Sequence, residues 1–407
     1  MRPAKSAKKK PAIFRQVCEL IPPHLVSKLA RKHEVRSRRI TPWNHVVSMI
    51  YAQFSHAISL NDVCDALRAN RSMLASIRGA KPPSRNGLSS ANRTRDPKMA
   101  KDLFWAMMGH LESLNPGFGG RRFSQLPRRF KRTVYAVDSS TIRLVANCMD
   151  WAKHRRRKAA AKLHLRLNLQ SFLPSVVILD SAKGHDNNKA HELCAGLQAG
   201  EISVFDMAYI DYSHLWSLEQ RGVFWVSRVK ENLKLRCVKR LLKKPKGCIL
   251  RDDIVIVESR SKRKDYPGKM RRIIALVEVD GRECEMIFFT NNFEWAPSSI
   301  CDLYKTRWSI EVFFKQIKQT LQLADFLGHN RNAIEWQIWT ALLLYVCLRY
   351  LHACADWSHS FTRLFTCLRA VLWQRRNLLE YLRSYGTAGG SLRMQWAPQQ
   401  AFLPGFS

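Results

Sequence analysis

Five short segments rich in strand-forming residues lie between residues 133 and 229, and they constrain the fold more than any other feature. The segments are TVYAVD (133–138), KLHLRLNL (162–169), PSVVILD (174–180), ISVFD (202–206) and GVFWVSRV (222–229). Helical patterns at 191–197 and 212–220 lie on either side of the fourth segment. Three strands, a helix and a fourth strand predict an α/β fold with a mixed sheet.

Helical periodicity dominates the chain before this region. Thr41 followed by Pro42 predicts the start of a helix, and Ser59 with Asp62 predicts a capping box at the start of another. Residues 80–96 are rich in proline, glycine, serine and arginine, which is typical of a linker. A further helix is predicted near 98–114.

The pattern changes again after residue 230. In residues 231–290, a cationic stretch (239–246) is followed by strand-like segments that alternate with turn signals such as Pro267-Gly268, which predicts a β-rich insertion. Residues 296–353 return to helical periodicity, and 361–385 predict a further basic helix. We therefore predict a basic tail (1–11), a helical DNA-binding domain (12–80), a basic linker and helix (81–132), the first part of the α/β core (133–230), the β-rich insertion (231–290), the second part of the core (291–353) and a basic helical C-terminal region (354–407).

The charge balance indicates the kind of partner. The chain has 68 lysines and arginines against 32 aspartates and glutamates, a net charge of +36, which favours a polyanion and above all nucleic acid. A ribosome-associated protein and a basic membrane-surface protein are the alternatives. Near the N-terminus, Arg36, Arg38 and Arg39 are candidate phosphate ligands, although a basic stretch of this kind is also typical of the solvated surface of a helical bundle.

Cysteine spacing and hydropathy exclude several classes. The 11 cysteines include no C-x-x-C pair, which argues against a zinc ribbon and a disulfide framework. The basic N-terminus lacks the apolar region of a signal peptide, and the longest apolar run, 334–348, is too short and too polar to span a bilayer. We expect a soluble, intracellular protein that does not associate with a membrane.

Two acids stand at the ends of predicted strands. Asp138 ends the first strand and Asp206 ends the fourth, where a carboxylate is costly unless it is paired or functional. Asp180 and Asp211 are rivals for the second position, and a turn or helix cap is the alternative role for Asp138. Carboxylates that converge from different elements are the ligands by which a basic protein could hold Mg²⁺ beside DNA phosphates.

The segment YKTRWSIEVFFKQIKQTLQL, residues 304–323, contains the third acid. On one continuous helix, Tyr304, Arg307, Glu311 and Lys318 fall within roughly a 60° arc beside an apolar face. That apolar face is predicted to be buried and consists of Ile310, Phe313, Phe314, Ile317 and Leu321. A surface helix with incidental ion pairs is the alternative, and we interpret Trp308 as core packing.

These residues resemble a known family. Tyr304-x2-Arg307-x3-Glu311-x6-Lys318 matches the YREK signature of DDE transposases of the IS-four insertion-sequence family, and VYAVDSSTI around Asp138 and TNN at 290–292 are also similar. The second-acid motif of that family is usually Asp-Arg-Gly-Tyr, whereas this chain has Met207 and Ala208 between Asp206 and Tyr209. The resemblance covers about residues 12–350.

The resemblance implies a ribonuclease-H-like core in which Asp138, Asp206 and Glu311 hold two Mg²⁺ ions, for which Mn²⁺ can substitute. It implies that Tyr304, Arg307 and Lys318 contact phosphates near the transposon end, and that a homodimer acts on paired ends and on target DNA. It further implies a bacterial cytoplasmic protein associated with the nucleoid. Some members hold a flipped base against an aromatic side chain; Met286 is near that position here, with Phe288 and Trp295 as aromatic alternatives. A catalytically inactive DNA-binding derivative and a stand-alone nuclease remain the alternative functions.

Overall fold

The computed structural model describes residues 10–37, 40–121, 126–144, 148, 153–155, 158–181, 189–229, 234–279, 282–323 and 326–385. The chain forms two compact units. One unit combines Met1–Phe118 with Gln316–Ser407, and the other is Gly119–Lys315.

The first unit is helical. Its N-terminal part contains α1 (Ile13–Glu19), α2 (Pro23–Lys32), α3 (Pro42–Ser55), α4 (Leu60–Ala69), α5 (Arg71–Ala75), α6 (Arg85–Thr94) and α7 (Lys98–Leu114). Both predicted helix starts are confirmed: the Thr41 hydroxyl accepts a hydrogen bond from the Asn44 amide, and Ser59 and Asp62 form the capping box. The predicted linker at 80–96 is wrong, because Ser84 caps α6, which buries Leu88 and Ala91.

Three C-terminal helices complete this unit. They are α13 (Arg331–Cys354), α14 (Phe361–Ala370) and α15 (Leu378–Ser384), which follow a π-helix at Gln316–Thr320. Helix α13 is buried around most of its circumference and packs against α3, α6, α7 and α14, as expected for a helix that is apolar on all sides. No described helix combines the length and the apolar character that crossing a bilayer requires.

The N-terminal and C-terminal segments of the first unit are joined directly. The amide of Ile13 donates to the carbonyl of Gln374 at 3.0 Å, and Ala12 forms an antiparallel bridge with Arg375. This bridge lies between α14 and α15, where the sequence predicted one continuous helix over 361–385. That prediction is wrong because residues 371–377 are used to pair with the start of α1.

The second unit is built on one ten-stranded sheet. Its strands are β1 (Val134–Leu144), β2 (Lys153–Arg155), β3 (Lys158–Asn168), β4 (Leu173–Ser181), β5 (Ile202–Phe205), β6 (Phe224–Val229), β7 (Leu235–Arg240), β8 (Ile249–Val257), β9 (Met270–Val279) and β10 (Arg282–Thr290). The order is β2-β3-β1-β5-β6-β10-β9-β8-β7, with β4 also paired to β3. The predicted α/β class is confirmed, and the strands of the β-rich segment extend the same sheet because β10 pairs with β6.

Five helices complete the second unit among the described residues: α8 (Ala190–Cys194), α9 (Tyr212–Gln220), α10 (Arg260–Asp265), α11 (Pro297–Thr306) and α12 (Trp308–Lys315). Strand β1 pairs antiparallel with β3 and parallel with β5, and β5 pairs parallel with β6. The apolar core between the sheet and α9 includes Phe205, Leu218 and Trp225. This arrangement places the carboxyl ends of two parallel strands, β1 and β5, side by side.

Candidate active site

Two of the predicted acids lie next to each other because of the sheet register. Val137 of β1 is the partner of Phe205 of β5, and this pair is the last of the parallel ladder. Asp138 and Asp206 follow those two residues directly. The sequence predicted that β1 ends at Asp138. This prediction is wrong, because the strand continues to Leu144 and pairs with β3 over that part.

Asp138 is held by two donors. Its Oδ2 accepts a hydrogen bond from Arg307 Nη1 at 2.8 Å, and its Oδ1 accepts one from the Ser139 amide at 2.7 Å. Burial raises the pKa of Asp138 to about 6; the Arg307 guanidinium and the Ser139 amide oppose this shift, and Asp206 and Glu311 add to it by charge repulsion. Asp138 therefore lies close enough to both other acids to be affected by their charge.

Arg307 connects two of the acids. Its Nη2 donates to Glu311 Oε1 at 2.8 Å while its Nη1 donates to Asp138, and its side chain is only 10% exposed. Burial disfavours the charged guanidinium, but Tyr304, Asp138 and Asp206 outweigh burial and raise the pKa of Arg307. Its Nε has no hydrogen-bond partner within the described part of the chain. The guanidinium thus neutralises a cluster of carboxylates that would otherwise repel one another.

Tyr304 connects to the remaining acid. Its hydroxyl donates to Asp206 Oδ1 at 3.1 Å, and its ring packs against Phe288 with a centroid distance of 5.1 Å. Burial raises the pKa of Tyr304 to about 12; Arg307 lowers it and Asp206 raises it. The phenol therefore remains a proton donor to Asp206 at neutral pH.

The helix that was predicted to be continuous over residues 304–321 is divided into three parts. Helix α11 ends at Thr306, α12 begins at Trp308, and the π-helix Gln316–Thr320 contains Lys318 beyond the boundary between the two units. Around Arg307 the backbone is tightened, since the amide of Arg307 donates to Tyr304 and the amide of Ile310 donates to Arg307, both across three residues at 3.0 Å.

The apolar side of this segment is predicted correctly, but Trp308 is not. Ile310, Phe313, Phe314, Ile317 and Leu321 are all buried. Trp308 is 63% exposed, so its interpretation as core packing is wrong. At about 100° per residue Trp308 lies about 160° from Ile310 around the helix axis, opposite the buried residues, so the helical spacing itself already placed it outward.

The rival acids have local structural roles. Asp211 caps α9 by accepting from the His214 amide at 2.9 Å, and Asp180 lies 3.6 Å from Lys189 Nζ with 44% of its side chain exposed. Neither acid takes part in the hydrogen bonds that join Asp138, Asp206, Tyr304, Arg307 and Glu311. The change of motif after Asp206 is accommodated by a 3-10 turn at Met207–Tyr209, with Tyr209 buried.

The other predicted site residues belong to the helical unit, pack elsewhere in the second unit or against Tyr304, or lie outside the described residues. Arg36 is exposed in a segment without regular structure, and Arg38 and Arg39 lie outside the described residues. Phe288 is buried against Tyr304, and Trp295 packs against Phe224 at 5.1 Å. Sequence reasoning missed that Arg307 links two acids, although the i, i+4 spacing of Arg307 and Glu311 contained that signal.

Comparison with known proteins decides the family. Residues 129–347, more than half of the chain, match the model of the transposase DDE domain. The chain belongs to this family. It is therefore an enzyme of DNA strand cleavage and transfer, of the type that resembles IS4 transposases, and the family implies a ribonuclease-H-like fold for the second unit. Residues 9–79 match a domain of unknown function (DUF4372).

Several curated transposases are similar to the enzyme. The probable transposase of insertion sequence element IS5377 from Geobacillus stearothermophilus is 27% identical over 65% of this chain and 69% of its own length. Putative transposase y4zB of Sinorhizobium fredii is 26% identical over 78% of this chain and 85% of its own length. Transposase InsG of IS4 from Escherichia coli is 24% identical over 46% of this chain and 43% of its own length.

The family implies a divalent metal, and the donor chemistry of the cluster suits one. Asp138, Asp206 and Glu311 offer carboxylate oxygens, which Mg²⁺ prefers. Among the residues that the structure describes, no three acidic, histidine or cysteine side chains are already spaced as a metal site. Asp138 and Glu311 instead form ion pairs with Arg307, and Asp206 accepts a hydrogen bond from Tyr304.

Proposed function

We propose that the enzyme is a DNA transposase that binds the ends of an insertion sequence, cleaves phosphodiester bonds there and joins the 3′ ends to target DNA. The observation that carries this proposal is the meeting of Asp138, Asp206 and Glu311 around Tyr304 and Arg307. The match of Tyr304, Arg307, Glu311 and Lys318 to the YREK signature and the names of the curated relatives support it.

We infer that Asp138, Asp206 and Glu311 hold two Mg²⁺ or Mn²⁺ ions. When bound, such ions activate the attacking oxygen and stabilise the leaving oxygen of a phosphodiester. The protein's own part is to keep the three carboxylates close together although they repel one another. Tyr304 orients Asp206 by its hydroxyl, and Arg307 orients Asp138 and Glu311 with one planar guanidinium.

Arg307 has two tasks in this proposal. In the chain alone it neutralises Asp138 and Glu311, and with DNA it binds phosphate oxygens, for which a bidentate guanidinium is suited. Lys318 and Tyr304 are further proposed phosphate ligands. The positive charges of Arg307 and Lys318 reduce the repulsion between the two DNA backbones that meet during strand transfer.

The remaining predictions from the sequence are part of the same proposal. Residues 12–80 with Arg36, Arg38 and Arg39 are proposed to recognise the transposon end, and two copies of the chain are proposed to act on paired ends. The net charge of +36 on each chain supports the binding of duplex DNA. Trp295 is the remaining aromatic candidate to hold a flipped base, because Phe288 is buried.

The direct test is incubation of the purified enzyme with Mg²⁺ and a duplex that carries the ends of the DNA flanking its own coding sequence, with every nick mapped. We expect nicks at both ends and joined products with target DNA. Binding of the ends without any nick would support the second candidate, a catalytically inactive DNA-binding derivative, which Met207 and Ala208 after Asp206 favour.

The pKa of Asp138 predicts a pH dependence. Because burial raises that pKa to about 6, Asp138 is protonated below this pH in the metal-free chain. We expect Mn²⁺ affinity, measured by calorimetry, to fall by about tenfold for each pH unit below 6. The free energy of unfolding changes in the opposite direction. Between about pH 4 and 6 the folded chain binds more protons at Asp138 than the unfolded chain does, so the contribution of Asp138 to stability increases as the pH falls. Unchanged Mn²⁺ affinity down to pH 5 would contradict the assignment, and Asp180→Asn should keep the wild-type profile.

The exposure of Trp308 predicts a contact with DNA. An indole that is 63% exposed beside Arg307 can stack on a nucleobase, and such stacking is worth about 1–3 kcal/mol. We expect Trp308→Leu to weaken binding of a transposon end by about tenfold while thermal stability remains unchanged. Trp43, whose indole donates to the carbonyl of Ile77, is the matched control: Trp43→Leu should lower stability instead. Equal DNA affinity of Trp308→Leu and the wild type would refute the contact.

A further inference from the structure

The far edge of the ten-stranded sheet is strongly cationic. Strand β7 is the last strand in the order, and it continues into a turn that ends where β8 begins. We call residues 235–248 the basic hairpin. Its lysines and arginines are all exposed: Arg236, Lys239, Arg240, Lys243, Lys244 and Lys246. The hairpin has no acidic residue.

The charge of the basic hairpin is not compensated by its neighbours. Within the described ranges, none of its six cationic side chains forms an ion pair. The two acids of the neighbouring strand β8, Asp252 and Asp253, are buried and bound by Arg271 and Arg272 at 2.7 and 2.6 Å. This end of the sheet therefore has a strong positive field.

Protection of an open sheet edge is the simplest alternative explanation. Lysine and arginine on an edge strand prevent pairing with other chains, and this would account for the cations of β7 itself. It does not account for Lys243, Lys244 and Lys246, which lie in the turn after the strand. Six exposed cations on one strand and the turn that follows it, with no acidic residue among them, are a footprint of the kind that binds a polyanion.

The sheet register gives the position of the basic hairpin relative to the acids. A line of Cα partners runs across six strand pairings from Val137, directly before Asp138, to Arg240, directly before the turn. Its members are Val137, Phe205, Ser227, Phe289, Arg272, Asp253 and Arg240. With neighbouring strands about 4.8 Å apart, the line is about 29 Å long. A B-DNA duplex rises about 3.4 Å per base pair, so this distance corresponds to about eight or nine base pairs.

We propose that the basic hairpin binds the phosphate backbone of duplex DNA about eight or nine base pairs from the phosphodiester that is cut at Asp138, Asp206 and Glu311. This inference rests on the proposed function. It adds a second DNA contact on the same sheet, nearly one helical turn from the site of cleavage. The hairpin acts through charge, so the contact is independent of base sequence.

The test reverses the charge of the turn while keeping it charged. Lys243→Glu/Lys244→Glu/Lys246→Glu retains edge protection but repels phosphates, and Lys243→Arg/Lys244→Arg/Lys246→Arg is the matched control that retains the positive charge. Both are made in the full chain. The probe is a duplex that carries one end of the DNA flanking the coding sequence, read by phosphate-ethylation interference and by salt-dependent affinity.

The wild type and the arginine variant should show interference eight or nine base pairs from the nick. The glutamate variant should lose that signal, and its slope of log affinity against log salt should fall by about three, one unit for each lost phosphate contact. An unchanged slope and interference pattern in the glutamate variant would overturn the inference and leave edge protection as the role of the hairpin. If circular dichroism shows that the glutamate variant does not fold, the interference pattern and the salt dependence of affinity are measured on Lys243→Gln/Lys244→Gln/Lys246→Gln instead, with the same two outcomes.

Failure of the proposed function gives a different result. In that case the wild type itself would show no nick at the end of the DNA. A wild type that nicks the end, together with a glutamate variant that binds with wild-type salt dependence, contradicts the basic hairpin alone.

Discussion

Replacing Asp138 by asparagine is expected to reduce Mg²⁺-dependent DNA cleavage by at least about a thousandfold. Asparagine keeps the shape of the side chain and can still face Arg307, but it removes the negative charge that holds a divalent cation. A loss of about 4 kcal/mol of transition-state stabilisation corresponds to this factor. Asp206→Asn and Glu311→Gln should have effects of the same size. Cleavage is measured by single-turnover nicking of a transposon end.

Two observations separate a catalytic loss from a folding or binding loss. The three variants should bind transposon ends at least as well as the wild type, since each removes a negative charge near the phosphates. The matched controls are Asp180→Asn and Asp211→Asn, because Asp180 is half-exposed beside Lys189 and asparagine can still cap α9 at position 211. Full cleavage by Asp206→Asn with a loss in Asp211→Asn would show that the second acid has been assigned wrongly.

Replacing Arg307 by methionine is expected to lower the free energy of unfolding by about 2–4 kcal/mol in the absence of divalent cations. Removing one member of a buried ion pair leaves uncompensated charge, which costs about 3–5 kcal/mol when burial is complete; we discount this because Glu311 is 36% exposed. Urea unfolding in EDTA measures the change. Addition of Mg²⁺ should restore part of the stability, since cations then neutralise the same carboxylates.

A double variant and a matched control test this explanation. Asp138→Asn/Arg307→Met should be more stable than the sum of the two single changes predicts, because the charge that lost its partner is also removed. Arg15→Met is the control: Arg15 forms an i, i+4 pair with Glu19, but both side chains are more than a third exposed, so the expected change is below about 0.5 kcal/mol. An Arg307→Met variant as stable as the wild type would contradict the neutralising role of this residue.

Much of the fold could be predicted because local patterns and tertiary structure agree. The five strand segments of the core correspond to β1, β3, β4, β5 and β6, and the caps at Thr41 and Ser59 have the expected hydrogen bonds. The apolar spacing that includes Ile310 and Phe313 predicted the buried side of that segment. In these helices and strands, the spacing of apolar residues along the sequence identifies the side of the element that is buried.

The errors occur where distant contacts override the local pattern. Residues 85–94 have the composition of a linker, but burial of Leu88 and Ala91 stabilises a helix. Residues 371–377 could continue a helix, but pairing with the start of α1 ends it. The segment after Tyr304 could be one helix, but it is divided at Arg307, whose side chain binds acids on β1 and α12. None of these partners is visible from the neighbouring sequence.

The candidate site could be predicted in its residues but not in its contacts. Asp138, Asp206 and Glu311 were found from strand ends and from the signature, yet the hydrogen bonds by which Tyr304 and Arg307 hold them depend on the sheet register. The same register places the cationic turn of the basic hairpin on a line with the acids, which the spacing of 35 residues between Asp206 and Leu241 does not reveal.

The most direct test of the shared metal site is the anomalous scattering of Mn²⁺ in crystals of the enzyme bound to a transposon end. We expect Mn²⁺ peaks in contact with the carboxylates of Asp138, Asp206 and Glu311, with at least one ion bound by two of these residues. Mn²⁺ held by other acids, with the carboxylate of Glu311 away from those of Asp138 and Asp206, would contradict it.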